Sequence, residues 1–234
     1  MARPWNEQYL DLILVPSGLI LMFGYHLILV YRYLKCPENT VIGYENHNKR
    51  AWTRRMFQLL HPTRVLMYTW VDVKDRGPAV SVISGNISAA TAMSSISLVL
   101  TSLLGAWAGS SDTRIFSSNY IYGSTAASVI YIKYVSILAC FLVAFACFVQ
   151  TARRFVHAIF LISMPDNDIP VGCVVKEIIS GSNFWNAGLR SLYLAVCMVL
   201  WIFGPIPMFV CSAALVGMLV NVDRNTTKLH NYKW

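Results

Sequence analysis

Charged positions are spread unevenly along this chain. Four stretches carry no Asp, Glu, Lys or Arg: Leu12–Tyr31, Ala79–Gly109, Tyr134–Ala152 and Ser191–Val222. Each approaches or exceeds the roughly 20 residues that an α-helix needs to cross a bilayer core of about 30 Å. None alternates apolar and polar residues as a barrel strand would. Lipid admits only helices or closed barrels as spanning structures. The pattern therefore predicts an all-α integral membrane protein with four transmembrane helices, over about 10–33, 79–109, 124–152 and 190–222. Residues 1–234 read as a single membrane domain. The first run is too long for a signal-peptide apolar region, and no small-x-small cleavage pattern follows it, so it reads as a retained span.

Composition agrees: of 234 residues 56% are hydrophobic and 13% charged, against about 25% charged in soluble domains. That excludes a disordered chain, a coiled coil and an ordinary water-soluble enzyme. The formal net charge is +8, and its placement is a topology signal. The segment 32–78 holds Arg32, Lys35, Lys49, Arg50, Arg54, Arg55, Arg64, Lys74 and Arg76, and 153–190 adds Arg153, Arg154, Lys176 and Arg190. By the positive-inside rule both long loops are cytosolic, and both termini face the lumen or the outside. A nucleic-acid role would need a basic patch on a separable soluble module, which the chain lacks. Of six cysteines, Cys140, Cys147, Cys197 and Cys211 fall in spans, and no pair has zinc spacing, so small buried residues explain them.

Several positions interrupt the apolar pattern. In the first cytosolic segment Asn48–Leu60 is amphipathic, with Trp52, Met56, Leu59 and Leu60 on one face and Arg50 and Arg54 nearly opposite. It predicts a basic helix that lies on an anionic leaflet through Arg50, Arg54 and Arg55, or docks on the protein's own cytosolic surface. In the second span Ser81, Ser84, Ser88, Thr91, Ser95 and Ser102 recur at helical spacing, beside Asn86 and ahead of Gly105 and Gly109. Such a stripe serves either as a close-packed helix seam or as the wall of a water-filled pore. In the fourth run Gly204-Pro205-Ile206-Pro207 removes two backbone donors and predicts a break or kink.

Charges at the membrane edge are the candidate chemistry. Glu7 and Asp11, four apart, share one helix face; repeated around an oligomer they would form rings of carboxylates that concentrate cations. Asp11 has a rival role, a structural pair with Lys133, because an unpaired buried charge is costly. No HExxH, P-loop, GxSxG or strand-linked GxGxxG is present, so neither an enzyme nor a bound metal or cofactor is expected. Asp166 and Asp168, between Pro165 and Pro170, suit a solvated turn, and Asn225-Thr226-Thr227 is a possible glycosylation triplet.

The segments YLDLILVPSGL (Tyr9–Leu19), YHLILVYR (Tyr25–Arg32), TVIGYENHNKRAW (Thr40–Trp52), GNISAAT (Gly85–Thr91), Ile132–Ala158, GSNFWNAGLR (Gly181–Arg190) and WIFGPIPMF (Trp201–Phe209) cover the chain nearly end to end. Together they resemble a plant membrane family catalogued as a domain of unknown function, number five-nine-nine. Similarity to a defence-acting member of it implies a homo-oligomer, such as a pentamer, forming a calcium-permeable cation channel of the endoplasmic reticulum. Four helices enclose little volume, so a pore would lie on a symmetry axis between subunits, with Glu7, Asp11, Ser81, Ser84 and Ser88 as its candidate lining. The competing expectation is a scaffold whose Ser and Gly positions pack helices and whose basic helix binds lipid or a partner protein.

Overall fold

The structure, a computed structural model, describes residues 7–60, 77–109, 127–164 and 170–229. The described residues form six α-helices: α1 (Glu7–Lys35), α2 (Val41–Leu60), α3 (Gly77–Gly109), α4 (Ala127–Ser163), α5 (Val171–Trp201) and α6 (Pro205–Val222), with a 3₁₀ turn at Pro37–Asn39. Among the described residues the only β-type pairing is an isolated bridge between Thr40 and Arg224.

Five of these helices, all but α2, are long and apolar enough to cross a membrane, where the charge pattern predicts four. The difference lies in the last run. The expected single span over about 190–222 is two helices. Backbone at Ile202–Phe203 leaves the α5 register, Gly204 adopts φ 144°, and α6 starts with Pro205. Only glycine takes that φ without strain, and proline at a helix start loses no needed donor. The chain then doubles back. Cys197 and Cys211, on either side of the break, bring their sulfurs to 3.7 Å, and Arg190 pairs with Asp223 further along the same two helices. A kinked continuous helix would carry these pairs apart.

The basic loop expected over 153–190 is also mostly helix, because α4 continues to Ser163 and α5 begins at Val171. At 37 residues α4 is about 55 Å long, well beyond a bilayer core. The two helices pair antiparallel through a seven-residue repeat. Phe148 and Phe155 of α4 face Gly188 and Gly181 of α5, where an added Cβ would sit 2.8 Å and 3.1 Å from the rings. Trp185 closes over Phe148 edge-on, with ring centroids 5.3 Å apart.

The core has two storeys. At the end where α1 begins, Val15, Ile137, Phe141, Ala195, Met198, Trp201, Ile202 and Met208 form one cluster, joining α1, α4, α5 and α6. At the other end Ile83, Phe155, Ala158, Ile162, Val174 and Ile178 form a second, with Trp52 of α2 packed on it. This second storey contains α2 and the extended halves of α3, α4 and α5.

The end of α6 is tied to the end of α1. The Val41 amide donates to the Asp223 carbonyl (3.0 Å) and the Asn225 amide to the Asn39 carbonyl (3.2 Å). The described part of the tail, with Arg224 and Lys228, therefore sits at the same end of the molecule as the basic segment after α1. The sequence reading placed that tail on the opposite face. Five long apolar helices in place of four return the chain to that end.

Candidate functional site

Three groups of polar side chains stand out against the apolar scaffold. The first is at the α1-start end. Asp11 on α1 is 9% exposed and Lys133 on α4 is 3% exposed. Trp201, the last residue of α5, joins them. Its indole Nε1 donates to Asp11 Oδ1 at 3.1 Å, while Lys133 Nζ lies 5.5 Å from its ring centroid. The Asp11 carboxylate also acts electrostatically on Lys133. A carboxylate, a cation–π contact and an indole donor together offset the burial of two charges. Asp11 thus points into the subunit, away from the surface that a ring between subunits would require. Glu7 is the first residue of α1, and its side chain lies outside the described residues, as do those of Leu59 and Leu60; Gly109 is the last residue of α3.

The second group was not singled out in the sequence. Arg190 of α5 holds Asp223 at the end of α6 with both guanidinium arms: Nη1 donates to Oδ2 at 2.7 Å and Nη2 donates to Oδ1. The Tyr25 hydroxyl of α1 donates to the same Oδ2. The side chains of Arg190 and Asp223 are 17% and 8% exposed, so this bidentate pair, the strongest geometry for such a contact, ties three helices together just inside the end where α1 finishes. A lone Arg next to a predicted span and a lone Asp beyond it gave no local signal. Their opposite signs at the two ends of one apolar run were the clue.

The third group is the outer face of α3. Ser81, Ser84, Asn86, Ser88, Thr91, Ser95, Ser102 and Gly105 are all exposed, whereas Ala79, Ile83, Ala90, Ser94 and Ser97 turn inward against α4. The predicted stripe therefore faces away from the subunit's own core. Ser88, Thr91 and Ser102 donate to the carbonyls of Ser84, Ile87 and Leu98, and Asn86 donates to that of Val82. These bonds take up the three hydroxyl donors and one of the two Asn86 N–H donors, and leave the oxygens free to accept further bonds. A Cβ added to Gly105 would meet nothing within 4 Å, so that glycine serves no contact inside the subunit. The exposed side of α3 also carries Val82, Ile96, Leu98, Val99 and Leu103, so its hydroxyls are interleaved with large apolar residues; on α1 the exposed side has Leu12, Ile13, Ile20, Leu27 and Ile28 with no such run of hydroxyls.

The motif TVIGYENHNKRAW builds the docking of α2. Thr40 Oγ1 accepts from the Gly43 amide at 3.2 Å, capping the helix. Asn46 donates to Tyr33 and Asn183, and Lys49 reaches Glu45 and Ser182. Ala51 and Thr53 are buried. Trp52 of its apolar side packs on the second storey of the core, and Arg50, Arg54 and Arg55 stay exposed. Asn225 of the glycosylation triplet donates to the carbonyls of Glu38 and Thr227, which occupies the amide a glycan would need. Asp166 and Asp168 lie outside the described residues.

These features define an all-helical protein with five apolar helices of membrane-spanning length and a helical extension at one end. The chain belongs to the family described as "Protein of unknown function, DUF599", whose model matches residues 13–228. No curated protein and no solved structure matches it.

Proposed function

We propose that this protein is a homo-oligomeric, calcium-permeable cation channel of the endoplasmic reticulum membrane, with α3 facing the symmetry axis. The outer face of α3 carries the proposal. The hydroxyls, amide and small side chains interleaved with Ile96, Leu98, Val99 and Leu103 there gain nothing from lipid tails, while the outer face of α1, with Leu12, Ile20 and Leu27, is suited to them. The space between the helices of one subunit is filled by the Phe141, Trp201 and Met208 cluster, so a conducting path belongs between copies. Five crossings put residue 7 at the lumenal end and residues 224–229 in the cytosol. Arg224 and Lys228 then join the basic cytosolic face, which strengthens the positive-inside asymmetry. A basic cytosolic end repels cations, so cation preference must arise elsewhere; Glu7 at the lumenal start of α1 is the candidate ring, and Asp11 is a structural charge.

The scaffold reading retains one favourable observation. Hydroxyls bonded to their own helix also suit a tight helix seam between subunits or with a partner. Planar bilayers separate the two. Purified protein under a calcium chloride gradient is expected to give discrete current steps that reverse toward the calcium equilibrium potential. Intact oligomers that give no steps would favour the scaffold.

A further inference from the structure

Beyond these features, α4 carries a basic cavity at the level where its charge-free run ends. Arg153, Arg154, Val156, His157, Phe160 and Glu177 line a cavity of about 500 Å³. Arg154 is partly neutralised, since its Nη1 donates to both Glu177 oxygens at 3.2 Å and 3.1 Å. Its Nε is buried in the same wall with no hydrogen-bond partner. Arg153 is exposed and makes no ion pair among the described residues. His157 stacks on Phe160 with centroids 6.5 Å apart and 14° between the planes. The cavity thus offers a free guanidinium and an imidazole, with one carboxylate already engaged by Arg154.

Its apolar side chains are unusual for a surface beyond a membrane core. Val156 is 55% and Phe160 58% exposed, and they continue the outward line of Leu142 and Val149 on the same helix. Positions 142, 149, 153, 156 and 160 follow helical spacing. A chain lying on Leu142 and Val149 would bring its head to Arg153, and the phosphate would meet the fork of the guanidinium.

We propose that this cavity binds an anionic phospholipid of the cytosolic leaflet through a phosphomonoester headgroup. A phosphomonoester carries about −1.5 to −2 charges near neutrality and several acceptor oxygens, which matches the Arg153 guanidinium and the His157 imidazole better than a zwitterionic head. Basic pockets at the cytosolic ends of membrane helices take such heads. The inference rests on the membrane placement proposed above and is independent of conduction.

The test uses full-length protein in neutral detergent, with dioctanoyl phosphatidic acid, dioctanoyl phosphatidylcholine and inorganic phosphate as probes in native mass spectrometry. Phosphatidic acid is expected to bind at least about tenfold more tightly than phosphatidylcholine, the ratio one charge-assisted contact confers. R153Q/H157Q should remove that preference without changing oligomer mass, while R50Q/R54Q should retain it. Arg153 is exposed and outside the core, and if the double variant did not fold, the wild-type comparison of the two lipids would still decide. Equal binding of the two lipids, or an R153Q/H157Q variant with undiminished preference, overturns the proposal. Inorganic phosphate displacing phosphatidic acid at equal concentration would overturn the lipid assignment in favour of a soluble phosphate ligand.

Discussion

Asp223→Ala should be among the most damaging single changes in the described part of this protein. The side chains of Arg190 and Asp223 are 17% and 8% exposed. Removing the carboxylate therefore leaves a guanidinium largely out of water without its partner, a loss of about 3–5 kcal/mol for buried pairs. The Tyr25 hydroxyl loses its acceptor as well, worth about 1–3 kcal/mol where no water replaces it. These two terms overlap, because Tyr25 and Arg190 share one oxygen, so the expected total is about 4 kcal/mol. In a chain of this size that corresponds to a fall in melting temperature of about 10 °C. Survival of the size-exclusion peak after heating in detergent measures it. R190M/D223L should recover most of the loss, since two apolar side chains replace a buried pair with little penalty. An Asp223→Ala protein melting within about 2 °C of wild type would refute the reasoning, and with it the claim that this cluster fastens α6 to α1 and α5.

Other consequences follow from particular contacts. Gly188→Val forces branched carbons onto the Phe148 ring, which a Cβ alone would already meet at 2.8 Å; over-packing should cost about 1–3 kcal/mol, visible as a lower melting temperature, whereas Gly105→Ala should leave subunit stability unchanged. Asp11→Asn keeps an acceptor for Trp201 but removes the charge opposite Lys133, so it should destabilise by about 2 kcal/mol, and adding Lys133→Met should return part of that; no recovery in the same heating assay would argue against the coupling. A protease-sensitive tag after Trp234 should be cut in sealed microsomes without detergent, and one before Met1 should be protected. The reverse for the C-terminal tag would restore an even number of crossings.

Much of this architecture is legible in the sequence because lipid makes the charge pattern almost binary. The starts of α1, α3 and α4 lie near the ends of charge-free runs, and the break at Gly204-Pro205 follows from local backbone chemistry. The reversal at that break was not legible, because a kink and a hairpin share the same local signature; long-range partners decide between them, and Arg190 and Asp223 stand 33 residues apart. The first half of α5 was hidden for another reason. Lys176, Glu177, Ser180, Ser182 and Asn183 read as a solvated loop, yet Glu177 is taken up by Arg154, Ser182 by Lys49 and Asn183 by Asn46. Polar residues satisfied by other polar residues look like surface until their partners are known. The tail carried one signal against the even number of spans that the charge-free runs predict: Arg224 and Lys228 are basic, and the positive-inside rule groups basic residues with the 32–78 segment.

The central claim, that the exposed face of α3 lines a conducting path between subunits, is tested most directly by thiol modification during bilayer recording. In a background with all six native cysteines replaced by serine or alanine, single cysteines at Ser88, Thr91 and Ser95 should let a cationic methanethiosulfonate reagent reduce the single-channel current. Cysteines at Ile20 and Val143, on the apolar outer faces of α1 and α4, should not. Currents that persist unchanged after modification of all three α3 positions would contradict the account.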